Sequence, residues 1–110
     1  MLKTVPNNQI NTDVSEALVR FENPTNGLAV ERLAKISRDK SLVEIDLATC
    51  QQLGFDLDDC QYKQITRNGV DEINPIVGPL RVYLNNRFCD CCALVTGIRV
   101  EIGNTALQML

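Results

Sequence analysis

The sequence predicts a mainly β protein, a closed β-barrel of short strands with one or two short helices. Several short segments alternate between apolar and polar residues, as strands with one buried face do. Clusters of Asn, Gly and Pro separate these segments at short intervals. Helical features are confined to one central and one C-terminal stretch. This succession is typical of a mainly antiparallel sheet that closes on itself.

Length and composition indicate one ordinary globular domain. A chain of 110 residues is too short to divide into two cores. Residues 1–13 are polar and without apolar period, so we predict a flexible leader followed by a single β domain over residues 14–110. A formal charge of −3 offers no basic surface, so we expect no nucleic acid partner. No segment has the apolar length of a membrane span or of a secretory signal, so we expect no membrane partner and a cytoplasmic location.

The first strand is predicted from Ala17 to Glu22, where alternation places Val19 and Phe21 on one face. The cluster from Asn23 to Gly27 is a turn that ends it. The segment from Leu28 to Ile36 fits a second strand, yet it also contains good helix formers. The residues alone leave these two structures open.

A short strand and a short helix are predicted next. Leu42 to Ile45 is apolar enough for a buried strand. Asp46 then stands where a carboxylate can accept the free amide hydrogens of a helix from Leu47 to Leu53. Gly54 can adopt the left-handed conformation that ends the helix.

Two tight turns predict hairpins in the second half of the chain. Between Cys60 and Ile76, the pair Asn68-Gly69 is typical of a two-residue turn, which needs positive φ at both positions. The turn at Asn85-Asn86-Arg87 connects two further strands, Leu80 to Asn85 and Phe88 to Val95. Thr96-Gly97 turns the chain into a last strand from Ile98 to Ile102, and a final helix from Thr105 to Leu110 follows.

The content of histidine and cysteine limits the possible chemistry. The chain has no histidine, which excludes Ser-His-Asp and Cys-His nucleophiles and the common histidine-containing zinc sites. Its five cysteines are an odd number, so at least one thiol is free. Cys89, Cys91 and Cys92 could bind a soft metal ion. On a strand, however, Cys92 faces away from the other two, and small apolar core residues are the alternative interpretation. We expect no metal and no cofactor.

The stretch from Ile76 to Leu110 resembles the second half of a retropepsin-type aspartic peptidase domain. Gly78-Pro79, the Asn85 turn, Ile102-Gly103 and the final helix stand in the order of that family. The resemblance implies the acid-protease fold, a single half-size barrel lobe, and it favours a strand for Leu28 to Ile36. It also implies that the Asn68-Gly69 hairpin is a flap over bound peptide. The implied substrate-binding residues are Arg67, Asn68, Gly69, Ile102 and Gly103.

The family's catalytic Asp-Thr-Gly or Asp-Ser-Gly triplet is degenerate in this chain. Its spacing from Leu53-Gly54 falls on Ser37-Arg38-Asp39, with Ser37 in place of the catalytic aspartate. A slipped register would use Asp39 instead. A carboxylate pair that shares one proton requires one aspartate from each of two copies, so the resemblance implies a homodimer. Glu101 could lie near this site, or it could face solvent as the outward member of its strand.

The function implied is that of a catalytically degenerate member, a module that binds an extended peptide or protein segment or is structural. The alternative is an active homodimeric aspartic endopeptidase that uses Asp39 from each subunit. A thiol or metal module and a small β domain without site chemistry are two further alternatives. The apolar side of the final helix, Ala106, Leu107, Met109 and Leu110, either packs on its own domain or contacts another subunit.

Overall fold

The computed structural model describes residues 16–97 and 99–110, so the prediction of a leader over residues 1–13 lies outside it. The described residues form seven β-strands, two short α-helices and one 3₁₀ turn. In chain order these are β1 (Glu16–Glu22), β2 (Ala29–Ser37), β3 (Val43–Asp46), α1 (Leu47–Gln52), the 3₁₀ turn (Leu57–Asp59), β4 (Gln61–Arg67), β5 (Val70–Leu84), β6 (Arg87–Thr96), β7 (Glu101–Gly103) and α2 (Asn104–Met109).

Six of the strands close into a barrel. Neighbouring strands follow the order β1, β2, β7, β3, β6 and β5, and β5 pairs with β1 to complete the ring. Two pairings, β2 with β7 and β3 with β6, are parallel, and the others are antiparallel. Among the strands of residues 16–97 and 99–110, β4 pairs with β5 alone, and it lies outside the ring. The predicted mainly β closed barrel with two short helices is confirmed.

The core fills the interior of this barrel, because alternate residues of each strand point inward. On β1, Val19 and Phe21 have no exposed surface, as their alternation predicts. The segment from Leu28 to Ile36 is a strand, since it forms β2 and buries Ala34. The other fully or almost fully buried apolar side chains include Val43, Ile45, Cys50, Leu53, Leu80, Val82, Ala93, Leu94, Ile102 and Ala106.

Local signals in the sequence set the turns and the helix ends as predicted. Asn68 and Gly69 have φ of 51° and 78° and form the two-residue turn between β4 and β5. Asn85 and its neighbour have φ of 52° and 65° and connect β5 to β6 in the same way. The side chain of Asp46 accepts a hydrogen bond from the Thr49 amide at the start of α1. The turn residues supply the positive φ that tight hairpins need, and Asp46 satisfies a helix N–H that would otherwise lack a partner.

Two predicted boundaries were wrong. β5 is one continuous strand of 15 residues, whereas the sequence suggested two strands separated at Gly78-Pro79. The strand continues because its first half pairs with β4 and its second half with β6 and β1, while a bulge between Val77 and Leu80 absorbs the proline. The last strand was predicted from Ile98, which lies outside the described residues; residues 99–100 are not part of a strand, and β7 spans Glu101–Gly103. All three residues pair with β2, and Glu101 also pairs with Glu44 on β3.

Candidate functional site

The carboxyl ends of β2 and β7 lie side by side, which brings Ser37 next to Gly103 as parallel partners. The chain turns through residues 38–42 directly after Ser37, and α2 begins directly after Gly103. Backbone hydrogen bonds join this turn to the first residues of α2. They run from the Asn104 N–H to the Lys40 carbonyl over 2.6 Å and from the Thr105 N–H to the Ser41 carbonyl over 3.2 Å. The turn is therefore fixed by the strand on one side and the helix on the other.

Gly103 allows this close approach because it has no side chain. A Cβ atom at this position would lie 2.5 Å from the backbone oxygen of Leu42 and 2.7 Å from its nitrogen. Both contacts are shorter than real Cβ atoms tolerate, and backbone atoms cannot rotate away. Any other residue would push the turn off the end of β7.

A buried carboxylate occupies the same place. Glu101 is 1% exposed and Ser37 is 4% exposed, and the Ser37 hydroxyl donates a short hydrogen bond to Glu101 Oε2. Nη1 of Arg99 lies 3.6 Å from the other oxygen of this carboxylate. Of the two alternatives for Glu101, the inward one is therefore correct. We call Ser37, Glu101 and Gly103 the polar junction.

A second buried carboxylate connects the barrel to the β4–β5 hairpin. Glu44, on β3, is 3% exposed and stands directly opposite Glu101 on β7. Its Oε2 accepts a hydrogen bond of 2.7 Å from Nη2 of Arg67, the last residue of β4. This hydrogen bond and the nearby charges of Glu44 and Glu72 outweigh burial and raise the pKa of Arg67. The ion pair holds the tip of the hairpin against the barrel.

A cleft of about 420 Å³ opens between the turn at residues 38–42 and the hairpin. Its lining residues are Asp39, Lys40, Ser41, Leu42, Glu44, Ile65, Thr66, Arg67, Asn68, Leu94 and Arg99. The cleft thus brings together three predicted site residues, Asp39, Arg67 and Asn68. Four others are not part of its lining: Ser37, Ile102 and Gly103 are buried, and Gly69 is exposed outside it.

The C-terminal end of β4, residues 65–67, forms one wall of the cleft, and the rest of its outer edge continues away from this wall. In a two-residue hairpin the residues that flank the turn, here Arg67 and Val70, exchange hydrogen bonds, and paired and unpaired positions alternate from there. The backbone N–H and C=O groups of Thr66, Gln64 and Tyr62 therefore point away from β5. Pro75, which has no N–H, stands opposite Tyr62 at one of these unpaired positions, in agreement with this register.

The polar junction lacks the chemistry of an aspartic dyad. A serine hydroxyl does not ionise near neutral pH, so Ser37 cannot share a proton with a second carboxylate as the aspartic mechanism needs. Glu101 carries a carboxylate, but it is buried beneath the turn and hydrogen-bonded to Ser37. Asp39 is exposed at the rim of the cleft. This arrangement provides a shaped cleft with an open strand edge.

The cysteines are graded from buried to exposed along β6. Cys89 is 7% exposed, Cys91 is half-buried and Cys92 is exposed, in the alternation expected of a strand. Burial raises the pKa of Cys89 and raises the pKa of Cys91 to about 12. Within residues 16–97 and 99–110, no three Cys, Asp or Glu side chains are placed to hold one ion.

Sequence reasoning missed Glu44 and Arg99 as parts of the site. Glu44 had a detectable signal, since it is a charged residue between Val43 and Ile45 in an otherwise apolar strand, and such a residue needs a partner. Arg99 had none. Its approach to Glu101 depends on how the chain returns to the barrel after β6.

Comparison of the chain with protein-family models and with curated proteins gives no match. In the part of the chain that the structure describes, neither α-helix has the length and apolar character needed to cross a bilayer. The cleft and the edge of β4 are therefore the observations that bear on function.

Proposed function

We propose that this protein is a retropepsin-like, catalytically degenerate module that binds an extended peptide or protein segment in the cleft, as a strand added to β4. One observation carries this proposal: one edge of β4 pairs with no other described strand, and the C-terminal end of β4 borders the cleft. An extended peptide gains affinity from main-chain hydrogen bonds with such an edge and specificity from pockets for alternate side chains. A cytoplasmic homodimer, expected from the sequence, is part of the same proposal.

The surroundings of β4 support a binding role. Its outward backbone groups at Tyr62, Gln64 and Thr66 repeat every second residue, which is the spacing of an antiparallel or parallel partner strand. The Arg67–Glu44 ion pair fixes the end of β4 at the cleft, so little conformational freedom is lost when a peptide binds. On the opposite wall, the turn at residues 38–42 is held by α2.

The proposed likeness to retropepsins and the proposed absence of peptidase activity are supported by separate observations. The β4–β5 hairpin overhangs a cleft, as the flap of that family does, and Ser37 lies beside Gly103 at the base. These features support the fold family. The serine in place of the aspartate, and the exposed position of Asp39, support the absence of hydrolysis.

A peptide library tests binding. We expect some fluorescent peptides of about ten residues to bind with micromolar affinity, typical of short peptides that pay an ordering cost. Gln64→Pro removes one outward N–H of β4 and leaves the ladder to β5 intact, because Gln64 is not hydrogen-bonded to β5. It should weaken binding at least about tenfold, a loss of roughly 1.4 kcal/mol. Gln64→Val keeps the N–H and is the matched control.

Two outcomes would overturn the binding proposal. One is that no peptide of the library binds at concentrations up to about 1 mM, which corresponds to roughly 4 kcal/mol. The other is that Gln64→Pro and Gln64→Val bind equally well while both remain folded.

The alternative function, an active peptidase, has one observation in its favour, which is that Asp39 lines the cleft. Incubation with denatured casein from about pH 3 to pH 7 covers the range in which carboxylate pairs share a proton. We expect no cleavage by the natural protein or by Asp39→Asn. Cleavage that is inhibited by pepstatin and abolished by Asp39→Asn would establish the alternative.

A further inference from the structure

The outer side of β1 and β2 exposes two large apolar residues. Leu18 and Leu33 are direct cross-strand partners, and they are 62% and 61% exposed. Cross-strand partners have their side chains on the same side of a sheet, so the two leucines form one apolar patch. Neither residue lines the cleft. Exposed leucines in a contiguous pair are a common feature of interaction surfaces.

Charged residues flank this patch in a regular arrangement. On one side of the leucines Glu16 pairs with Lys35, and on the other side Arg20 pairs with Glu31. All four charged residues are exposed. The guanidinium of Arg20 lies 5.6 Å from the ring centre of Tyr83, its cross-strand partner on β5. We call these four residues with Leu18 and Leu33 the β1–β2 face.

The signs of the charges alternate both along and across the strands. On β1 a negative residue precedes the leucine and a positive one follows it, and on β2 a negative residue precedes the leucine and a positive one follows it as well. Because the strands are antiparallel, each charged residue has an opposite charge as its cross-strand partner. It has a second opposite charge on its own strand, on the other side of the leucine. The four charges form a square in which equal signs lie only on the diagonals.

Such a square is complementary to itself. If two copies pack face to face about a two-fold axis parallel to the strands, Glu16 meets Lys35 of the other copy and Arg20 meets Glu31. If the axis lies across the strands, Glu16 meets Arg20 and Lys35 meets Glu31. In both arrangements leucine meets leucine and each charge meets its opposite.

We propose that the β1–β2 face is a docking surface for a second copy of this chain, which gives the homodimer of the proposed function an interface outside the cleft and can be tested separately from peptide binding. A partner of uniform charge would be repelled by two of the four charged residues, whereas an identical face attracts all four. A two-fold axis requires the same patch on both subunits, and this patch satisfies that requirement. Six side chains a side are fewer than in an interface of standard size, so the dimer is weak and depends on concentration.

Sedimentation velocity of the full chain over about 10 μM to 1 mM tests the proposal, since this range spans weak dissociation constants. We expect reversible dimerisation that Leu18→Asp and Arg20→Glu each weaken at least about tenfold. Ile73→Asp is the matched control, because Ile73 is an apolar residue of the hairpin with 69% exposure and lies outside the β1–β2 face. It should leave dimerisation unchanged.

Charge exchange determines the orientation. The double variant Arg20→Glu with Glu31→Arg keeps opposite charges in contact when the axis is parallel to the strands and brings like charges together when it lies across them. Further exchange of Glu16→Lys and Lys35→Glu restores complementarity in both orientations. The fourfold variant must therefore dimerise about as strongly as the natural protein.

Three results would overturn the proposal. The natural protein could remain monomeric over the whole range. Leu18→Asp and Ile73→Asp could have equal effects on dimerisation. Leu18→Asp could lower the unfolding temperature markedly without any change in association, which would show that another segment of the same chain covers the face.

Discussion

The polar junction and the β4–β5 hairpin differ in how tightly their backbones are held. At the junction the ends of β2 and β7, the turn at residues 38–42 and the start of α2 are hydrogen-bonded together, and Gly103 has no room for one more carbon atom. One edge of the hairpin pairs with no other strand in the described part of the chain, and a Cβ atom at Gly69 in its tip would meet nothing within 4 Å. The rigid backbone therefore lies at the junction, and the backbone groups that are accessible to a partner lie on the hairpin. The junction shapes the cleft, and the hairpin offers the groups that can bind.

The largest effect on stability is expected from Gly103→Ala, which would disrupt the close packing at the polar junction. The new methyl group would overlap the backbone of Leu42, so the free energy of unfolding should fall by at least about 3 kcal/mol. Urea denaturation measures this change. Gly97→Ala is the control, since a Cβ atom there has open space, and it should change stability by less than about 0.5 kcal/mol. Equal stability of the two variants would mean that the junction is not rigid.

The next effect concerns the attachment of the hairpin. Arg67→Met removes the partner of buried Glu44, whose other oxygen accepts no hydrogen bond from any described residue. Breaking a buried ion pair from one side is costly, and because Arg67 is 23% exposed we expect a loss of about 2–3 kcal/mol. Amide hydrogen exchange should accelerate in β4 more than in β6.

Lys63→Met is the matched control for this variant, since Lys63 lies on the same strand and side and is exposed. It should leave both stability and exchange nearly unchanged. If Arg67→Met accelerates exchange equally in all strands, the ion pair stabilises the whole barrel rather than the hairpin, and the two regions are not independent.

A smaller effect should follow from Ser37→Ala. Without the serine hydroxyl, Glu101 Oε2 loses its donor in a buried place, which should cost about 1–2 kcal/mol. The double variant Ser37→Ala with Glu101→Leu removes both polar partners and should be more stable than the sum of the single changes predicts. Additive values in this double-mutant cycle, measured by urea denaturation, would show that the two side chains are not coupled.

The smallest loss of stability is expected at Asp46. This helix-capping carboxylate belongs to neither region, so it provides a reference value for the other variants. Burial opposes ionisation there, but hydrogen bonds from Thr49 and the charge of Arg32 outweigh it and lower the pKa of Asp46. Asp46→Ala should cost about 1 kcal/mol near neutral pH.

The pH dependence of this difference follows from the sign of the shift. Since the pKa is lower in the folded state, the stabilisation is complete above the unfolded value of about 4 and is lost as pH falls through the folded value. The difference in stability between the natural protein and Asp46→Ala should therefore shrink toward pH 2. A constant difference down to this pH would show that the carboxylate charge has no part in the cap.

The sequence was sufficient for those parts of the fold that depend on neighbouring residues. Asn68-Gly69, Asp46 and the alternation through Phe21 each act over a few residues, and each prediction is confirmed. The continuity of β5 was missed because it depends on which strands lie on either side of Gly78-Pro79.

The same limit applies to the candidate site. Ser37 and Gly103 could be proposed from a resemblance, but the inward position of Glu101 and its contact with Ser37 join residues that are 64 positions apart. No local pattern contains that information. Glu44 and Arg67 were similarly separate in the sequence, although a glutamate within an apolar strand is a sign that a distant cation is needed.

Because the thiols differ in burial, their rates of alkylation would report on local opening of this molecule. Cys92 is exposed and should react first with an alkylating reagent, whereas Cys50, on α1, and Cys89, whose thiol contacts the carbonyl of Ala106 on α2, must wait for an opening. Because one of these shielded thiols lies on α1 and the other lies on β6 beneath α2, their separate labelling rates would distinguish local detachment of one helix from complete unfolding. The natural cysteines thus serve as internal reporters without any engineered probe.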